Sequence, residues 1–88
     1  MQMTPELLMS LDEAAVLLIH TEWDPRRGDH VVGVSAADDR MLHPVDGWDV
    51  IRLNGDHFDH PAVLEAAEKV WARMSAHAQI AAMRRIAA

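Results

Sequence analysis

The sequence predicts an α+β fold: an N-terminal helix, two short antiparallel strands and a long C-terminal helix, in the order α-β-β-α, within one small domain over residues 1–88. Three observations predict it. Prolines stand at helix-start positions in Thr4-Pro5-Glu6 and His60-Pro61, where the missing proline N–H would have had no intrahelical partner. Between them lie two short runs rich in β-branched residues, His30–Ser35 (HVVGVS) and Trp48–Leu53 (WDVIRL). Asn54-Gly55 follows the second run directly, and such a pair favours positive φ and a tight reversal.

The first helix is read from Pro5 to Glu22. Thr4 is placed to cap it, and Ser10-Leu11-Asp12-Glu13 matches a capping box, which would put a step at Ser10. Leu7, Leu8, Leu11, Ala14, Ala15 and Leu18 form one inward face, and Val16, Leu17 and Ile19 widen it, as in a helix contacted on more than one side. Ser10–Leu18 (SLDEAAVLL) resembles the first helix of small helix-turn-helix DNA-binding domains. That resemblance implies a short turn and a recognition helix next. The residues that follow, Ile19 to Pro25, hold no such helix, and a plain amphipathic helix accounts for the same letters.

Asp24 to Asp29 reads as a turn from its proline, glycine and aspartates, with Arg26-Arg27 at a solvated tip. In the first strand, Gly33 marks a bulge or a close backbone approach. The connection from Ala36 to Gly47 is polar and long for so small a domain.

The last helix is read from His60 to Ala88, alanine-rich and without interior glycine or proline. At about 100° per residue, Val63, Leu64, Ala67, Val70, Trp71 and Met74 share one sector, the face that docks on the domain. Beyond Ser75 the pattern changes sides: Ile80, Met83, Ile86 and Ala87 cluster nearly opposite, and Arg85 takes the angle of the earlier stripe. A straight helix cannot point both stripes into one core. Either it bends or breaks near Ser75-Ala76-His77, or residues 75–88 project and offer an apolar surface to another chain. An unbroken helix of that length would run about 42 Å, against roughly 30 Å for a compact domain of this size, which favours projection.

Composition narrows the function classes. With no cysteine, disulfides, thiolate zinc sites and cysteine nucleophiles are excluded. The longest apolar run, Ala14–Ile19, is too short for a bilayer, and a cytoplasmic protein is expected, with no membrane partner. The net charge of −6 is uneven: residues 1–68 hold all fourteen acids and four arginines, whereas residues 69–88 hold four basic residues and no acid. An acidic body repels phosphates, so direct nucleic-acid binding is not expected.

Chemistry-bearing clusters are few. Asp56, His57, Asp59 and His60 combine imidazole and carboxylate, which suits zinc or another divalent ion, yet aspartate and histidine at a turn and helix start serve equally as caps. The three serines lie in no nucleophile-elbow context, the four glycines are scattered singly, and no catalytic residue or cofactor is assigned. Of the tryptophans, Trp48 and Trp71 are expected in the core and Trp23 exposed beside the turn.

The function these features support is a small acidic non-enzymatic protein–protein interaction module, a regulator or inhibitor. Its contact residues would be Ile80, Met83, Ile86, Arg84 and Arg85 on the last helix, the acids Asp38, Asp39, Asp46 and Asp49, and the exposed Trp23. One version is phage-like or mobile-element-borne and anti-CRISPR-like, its carboxylates filling a basic nucleic-acid-binding groove as a phosphate mimic. Two alternatives stand beside it: a homodimeric assembly protein joined through the C-terminal helix, and a metal-binding domain built on the Asp/His cluster.

Overall fold

A computed structural model of the chain describes residues 2–26, 28–37, 42–45 and 58–88. Over these the elements run α1 (Pro5–Glu13), β1 (Leu17–Asp24), β2 (Asp29–Ala36), β3 (His43–Pro44), α2 (Pro61–Arg73) and α3 (Ala76–Ala87). The class is α+β with an antiparallel sheet, as expected, but the described chain follows α-β-β-β-α-α, so the α-β-β-α order is met only loosely. The strand read at Trp48–Leu53 and the Asn54-Gly55 turn lie outside the described residues.

The N-terminal helix is shorter than its apolar pattern implies. It starts as expected, with Thr4 Oγ1 accepting the Leu7 N–H at 3.2 Å and Pro5 in the first turn. It ends nine residues on, at Glu13, in a Schellman motif: the Ala15 N–H reaches the Asp12 carbonyl at 3.0 Å and the Val16 N–H reaches the Leu11 carbonyl at 2.8 Å. Ala15 carries the reversal at φ 56°, in the left-handed region. Ser10 does not start a helix; its hydroxyl donates back to the Glu6 carbonyl at 3.1 Å from inside α1. The SLDEAAVLL stretch is therefore divided between the end of α1 and the start of β1, and the helix-turn-helix resemblance has no structural counterpart.

Alanine tolerates the left-handed conformation at a cost of roughly 1–2 kcal/mol, which glycine avoids at the expense of some backbone entropy. Ala15 is exposed, so its methyl contributes little packing. Ala15→Gly is expected to stabilise the fold by up to about 1 kcal/mol, seen as a higher urea midpoint at unchanged m-value; a lower midpoint would contradict this reading of the helix end.

What read as a widened helix face is the strand β1. It pairs with β2 in an antiparallel hairpin, Leu17 opposite Ala36 through Asp24 opposite Asp29. The turn is closed by the Gly28 N–H to the Asp24 carbonyl at 2.9 Å, with Gly28 at φ 65° and Asp24 Oδ1 accepting the Arg26 N–H at 2.9 Å. Strand alternation then sorts the side chains. Leu17 and Ile19, with Val32, Val34 and Ala36, belong to the core that the helices cover, while Leu18 and His20, with Gly33 and Ser35, lie on the opposite face. In the described sheet β2 is central, between β1 and β3, and its residues Val31–Ala36 are all buried. That is why this strand carries valine on both faces. Gly33 makes the close approach expected of it: a Cβ there would run into the Leu42 side chain and stand 2.9 Å from the His43 carbonyl oxygen.

The last third of the chain is two helices. In α2, His60 Nδ1 caps the start by accepting the Ala62 N–H at 3.1 Å, and Val63, Ala66, Ala67, Val70 and Trp71 form a buried stripe against the sheet. Its α-helix ends at Arg73; Met74 and Ser75 are extended, and Ser75 Oγ accepts the Ala78 N–H at 3.1 Å to begin α3. Gln79 Nε2 reaches back across the break to the Trp71 carbonyl at 2.8 Å. The break reorients the second apolar stripe only in part. Ala82 becomes buried and Ile86 packs against the core, whereas Ile80 and Met83 stay outside. The expectation that Ile86 shares an outward face with them is corrected accordingly. Met3 is buried as well, and its N–H donates to Glu68 Oε1 at 2.8 Å, tying the N-terminal segment to α2.

Candidate interaction surface

α3 is held to the body by one edge. Of its twelve residues only Ala82 is buried, and its inward neighbours Ala78 and Ile86 are half-buried. On its outer side Ile80 is 54% and Met83 41% exposed, two of the large hydrophobic residues left open to water. A short helix in water is marginal by itself. α3 therefore depends on the few apolar contacts along this edge and on its serine cap.

The outer side of α3 meets the end of α2 at an apolar depression of about 620 Å³, bordered by Trp71, Gln79, Ile80, Met83, Arg84 and Ala87. Trp71 itself is buried, at 6% exposure, so little of it reaches the surface of the hollow. The backbone geometry explains the hollow: with two extended residues between the helices, α3 leaves the axis of α2 and a concave angle opens on the side of Trp71 and Gln79. Gln79 holds that angle through its bond to the Trp71 carbonyl. A second hollow of about 280 Å³ lies on the inner seam, where Ala78, Ala81 and Ala82 face Ala15, Val16 and Ala37. Small side chains on both walls leave that seam unfilled.

The electrostatics of this end differ from the rest of the chain. α3 contains no acid, and Arg84 and Arg85 stand exposed in its last turn, where the helix dipole favours positive charge. On α2, Lys69 forms an i,i+4 pair with Glu65 at 3.4 Å, both largely exposed, a contact that contributes little to stability.

The residues expected at the site are distributed unevenly. Ile80, Met83 and Arg84 border the depression, and Arg85 lines the inner seam. Trp23 is exposed as expected, at 58%, and its ring meets His30 edge-on at 5.2 Å between centroids. It does not join α3: the start of β1 is beside α3, and Trp23 lies roughly 20 Å up the strand. Asp38, Asp39, Asp46 and Asp49 are outside the described residues, as are Asp56 and His57 of the expected metal cluster. Asp59 is exposed and His60 serves as the cap of α2. Among the described residues no group of three or more His, Asp or Glu side chains could hold a metal ion, and no helix is long and apolar enough to cross a membrane.

One polar contact was not legible in the sequence. His20 Nε2 and Ser35 Oγ meet at 3.0 Å on the sheet face away from the helices, where Ser35 is only 6% exposed. The imidazole satisfies a buried hydroxyl that would otherwise be costly. With Leu17–Glu22 read as helix, the two residues are unrelated; the period-2 alternation of a strand is what sets them diagonally across the hairpin.

No protein-family model matches the chain, and no curated protein or solved structure matches it either.

Proposed function

We propose that this chain is a small acidic protein–protein interaction module, a non-enzymatic regulator or inhibitor that acts through contact. The observation that carries the reading is the outer side of α3, where Ile80 and Met83 stand exposed at a depression that Trp71 and Arg84 also border. Half-exposed aliphatic side chains with a tryptophan and an arginine on the same border match the composition of interface centres. Covering what remains exposed of Ile80 and Met83 would contribute on the order of 2 kcal/mol. Methionine also adapts its shape to a partner surface.

A second feature bears on the kind of partner. Between Asp29 and Asp59 the chain carries seven aspartates and two arginines, a density that favours a basic protein surface and supports the phosphate-mimic reading. Under that reading, reversing Asp38, Asp39, Asp46 and Asp49 removes the attraction.

The test is a comparison of captured proteins. Tagged wild-type chain is expected to retain a protein partner in stoichiometric amount, and Ile80→Glu with Met83→Glu to lose it by at least about tenfold while keeping wild-type helix content. Identical captured proteins from both would remove α3 from the interaction and with it this reading.

A further inference from the structure

The depression on α3 needs an occupant, and the chain itself has a surface that complements it. We propose that the occupant is a second copy of this chain, paired so that the outer face of α1 in each copy lies on the outer face of α3 in the other. This rests on the reading of α3 as an interaction surface and names what it binds.

α1 and α3 pack against each other and both enter the single core that covers one face of the sheet. Their outward residues therefore belong to the same helical layer. On α1 that outward face carries Met9, 45% exposed, with Glu6 and Glu13 within about 60° of it around the helix. α1 holds three acids and no base, and α3 holds two arginines and no acid. One helix is thus acidic with an exposed methionine, and its neighbour is basic with an exposed isoleucine and methionine.

Symmetry selects among the ways two copies can meet. In a two-fold pairing, whatever element i of one copy touches on element j of the other is repeated with the roles exchanged. Placing α3 on α3 would set Arg84 against itself, and placing α1 on α1 would do the same with Glu6 and Glu13; like charges in contact are unfavourable. Crossing the pairs, α1 on α3 twice, is the arrangement that joins opposite charges at both contacts. It also covers Met9, Ile80 and Met83 together, with Met9 of the second copy entering the depression beside Trp71. The helices are of comparable length, about 13 Å for α1 and 18 Å for α3, so neither apolar patch is left uncovered.

Sedimentation equilibrium on the full chain tests the pairing. The wild type is expected to dimerise, and Met9→Ala to weaken the dimer by about tenfold. Two charge-reversed chains carry the decisive result: Glu6→Arg with Glu13→Arg in one, Arg84→Glu in the other. Each by itself sets like charges together at both contacts and is expected to be monomeric, with circular dichroism confirming that it is folded. Mixed in equal amounts, they restore opposite charges at both contacts and are expected to form a one-to-one dimer. A wild type that stays monomeric at every concentration overturns the proposal, as does a dimer indifferent to Met9→Ala and to both reversals, or a mixture of folded reversed chains that fails to associate. If the wild type is monomeric yet still captures a different protein through Ile80 and Met83, the second copy is excluded and the interaction-module reading stands. If Ile80→Glu with Met83→Glu changes neither result, both fall.

Discussion

Leu17→Asp is expected to leave the chain unfolded without denaturant, and Leu17→Ala to cost about 2–5 kcal/mol. Leu17 is 0% exposed, opens β1 opposite Ala36, and lies in the core with Leu8, Leu11 and Val34. A carboxylate there would be buried without a described cationic partner in the core, at a cost of several kcal/mol. Small domains have stabilities near the low end of about 5–15 kcal/mol, so that cost is enough to abolish folding. Far-UV circular dichroism and a urea titration check it. Leu18 supplies the control. In a strand it points to the opposite face and is only half-buried, so Leu18→Ala is expected to cost about 1–2 kcal/mol less than Leu17→Ala. Equal costs at the two positions would contradict the strand register.

The second large effect is at Gly33. Valine has a high strand propensity and would be welcome at most positions of a central strand. At Gly33 the Cβ would meet the Leu42 side chain and stand 2.9 Å from the His43 carbonyl oxygen. The side chain can rotate away, but the carbonyl belongs to β3 and can move only if the β2–β3 pairing, Gly33 opposite Pro44 and Val34 opposite His43, moves with it. Gly33→Val is therefore expected to destabilise by about 1–3 kcal/mol, against the propensity trend. Adding Leu42→Ala should recover only part of the loss, because the carbonyl contact remains; the coupling measured in that double-mutant cycle is expected in the range of about 0.5–3 kcal/mol. Full recovery would show that the side chain alone sets the limit.

The surface on α3 was partly legible in advance because an apolar stripe that changes sides is visible in helical periodicity. Ile80 and Met83 stood opposite Val63 and Val70 on any straight helix, and the serine at the changeover is a natural cap. The fate of Ile86 was not visible. Its angle resembles that of Met83 on a helix continuous with α2, and only the reorientation of α3 at Met74-Ser75 turns it inward while leaving Met83 out. The depression itself depends on that same angle between two helices, which no residue pattern encodes by itself.

Local signals placed the helix starts at Pro5 and Pro61, the valine strand with its tightly approached Gly33, and the exposure of Trp23 beside a turn. Each follows from interactions within a few residues: a cap, a proline ring, a β-branched run, a chain reversal. The extent of the first helix and the identity of β1 did not follow, since Ala14 to Glu22 fits a broad helical face as well as it fits a strand with one buried side. That choice falls to the hydrogen bonds β1 makes with β2, formed between residues as far apart as Leu17 and Ala36. Helical bonds are satisfied within the segment, whereas strand bonds need a partner from elsewhere in the chain. The same long-range pairing brings His20 to Ser35, and the same core places α1 beside α3.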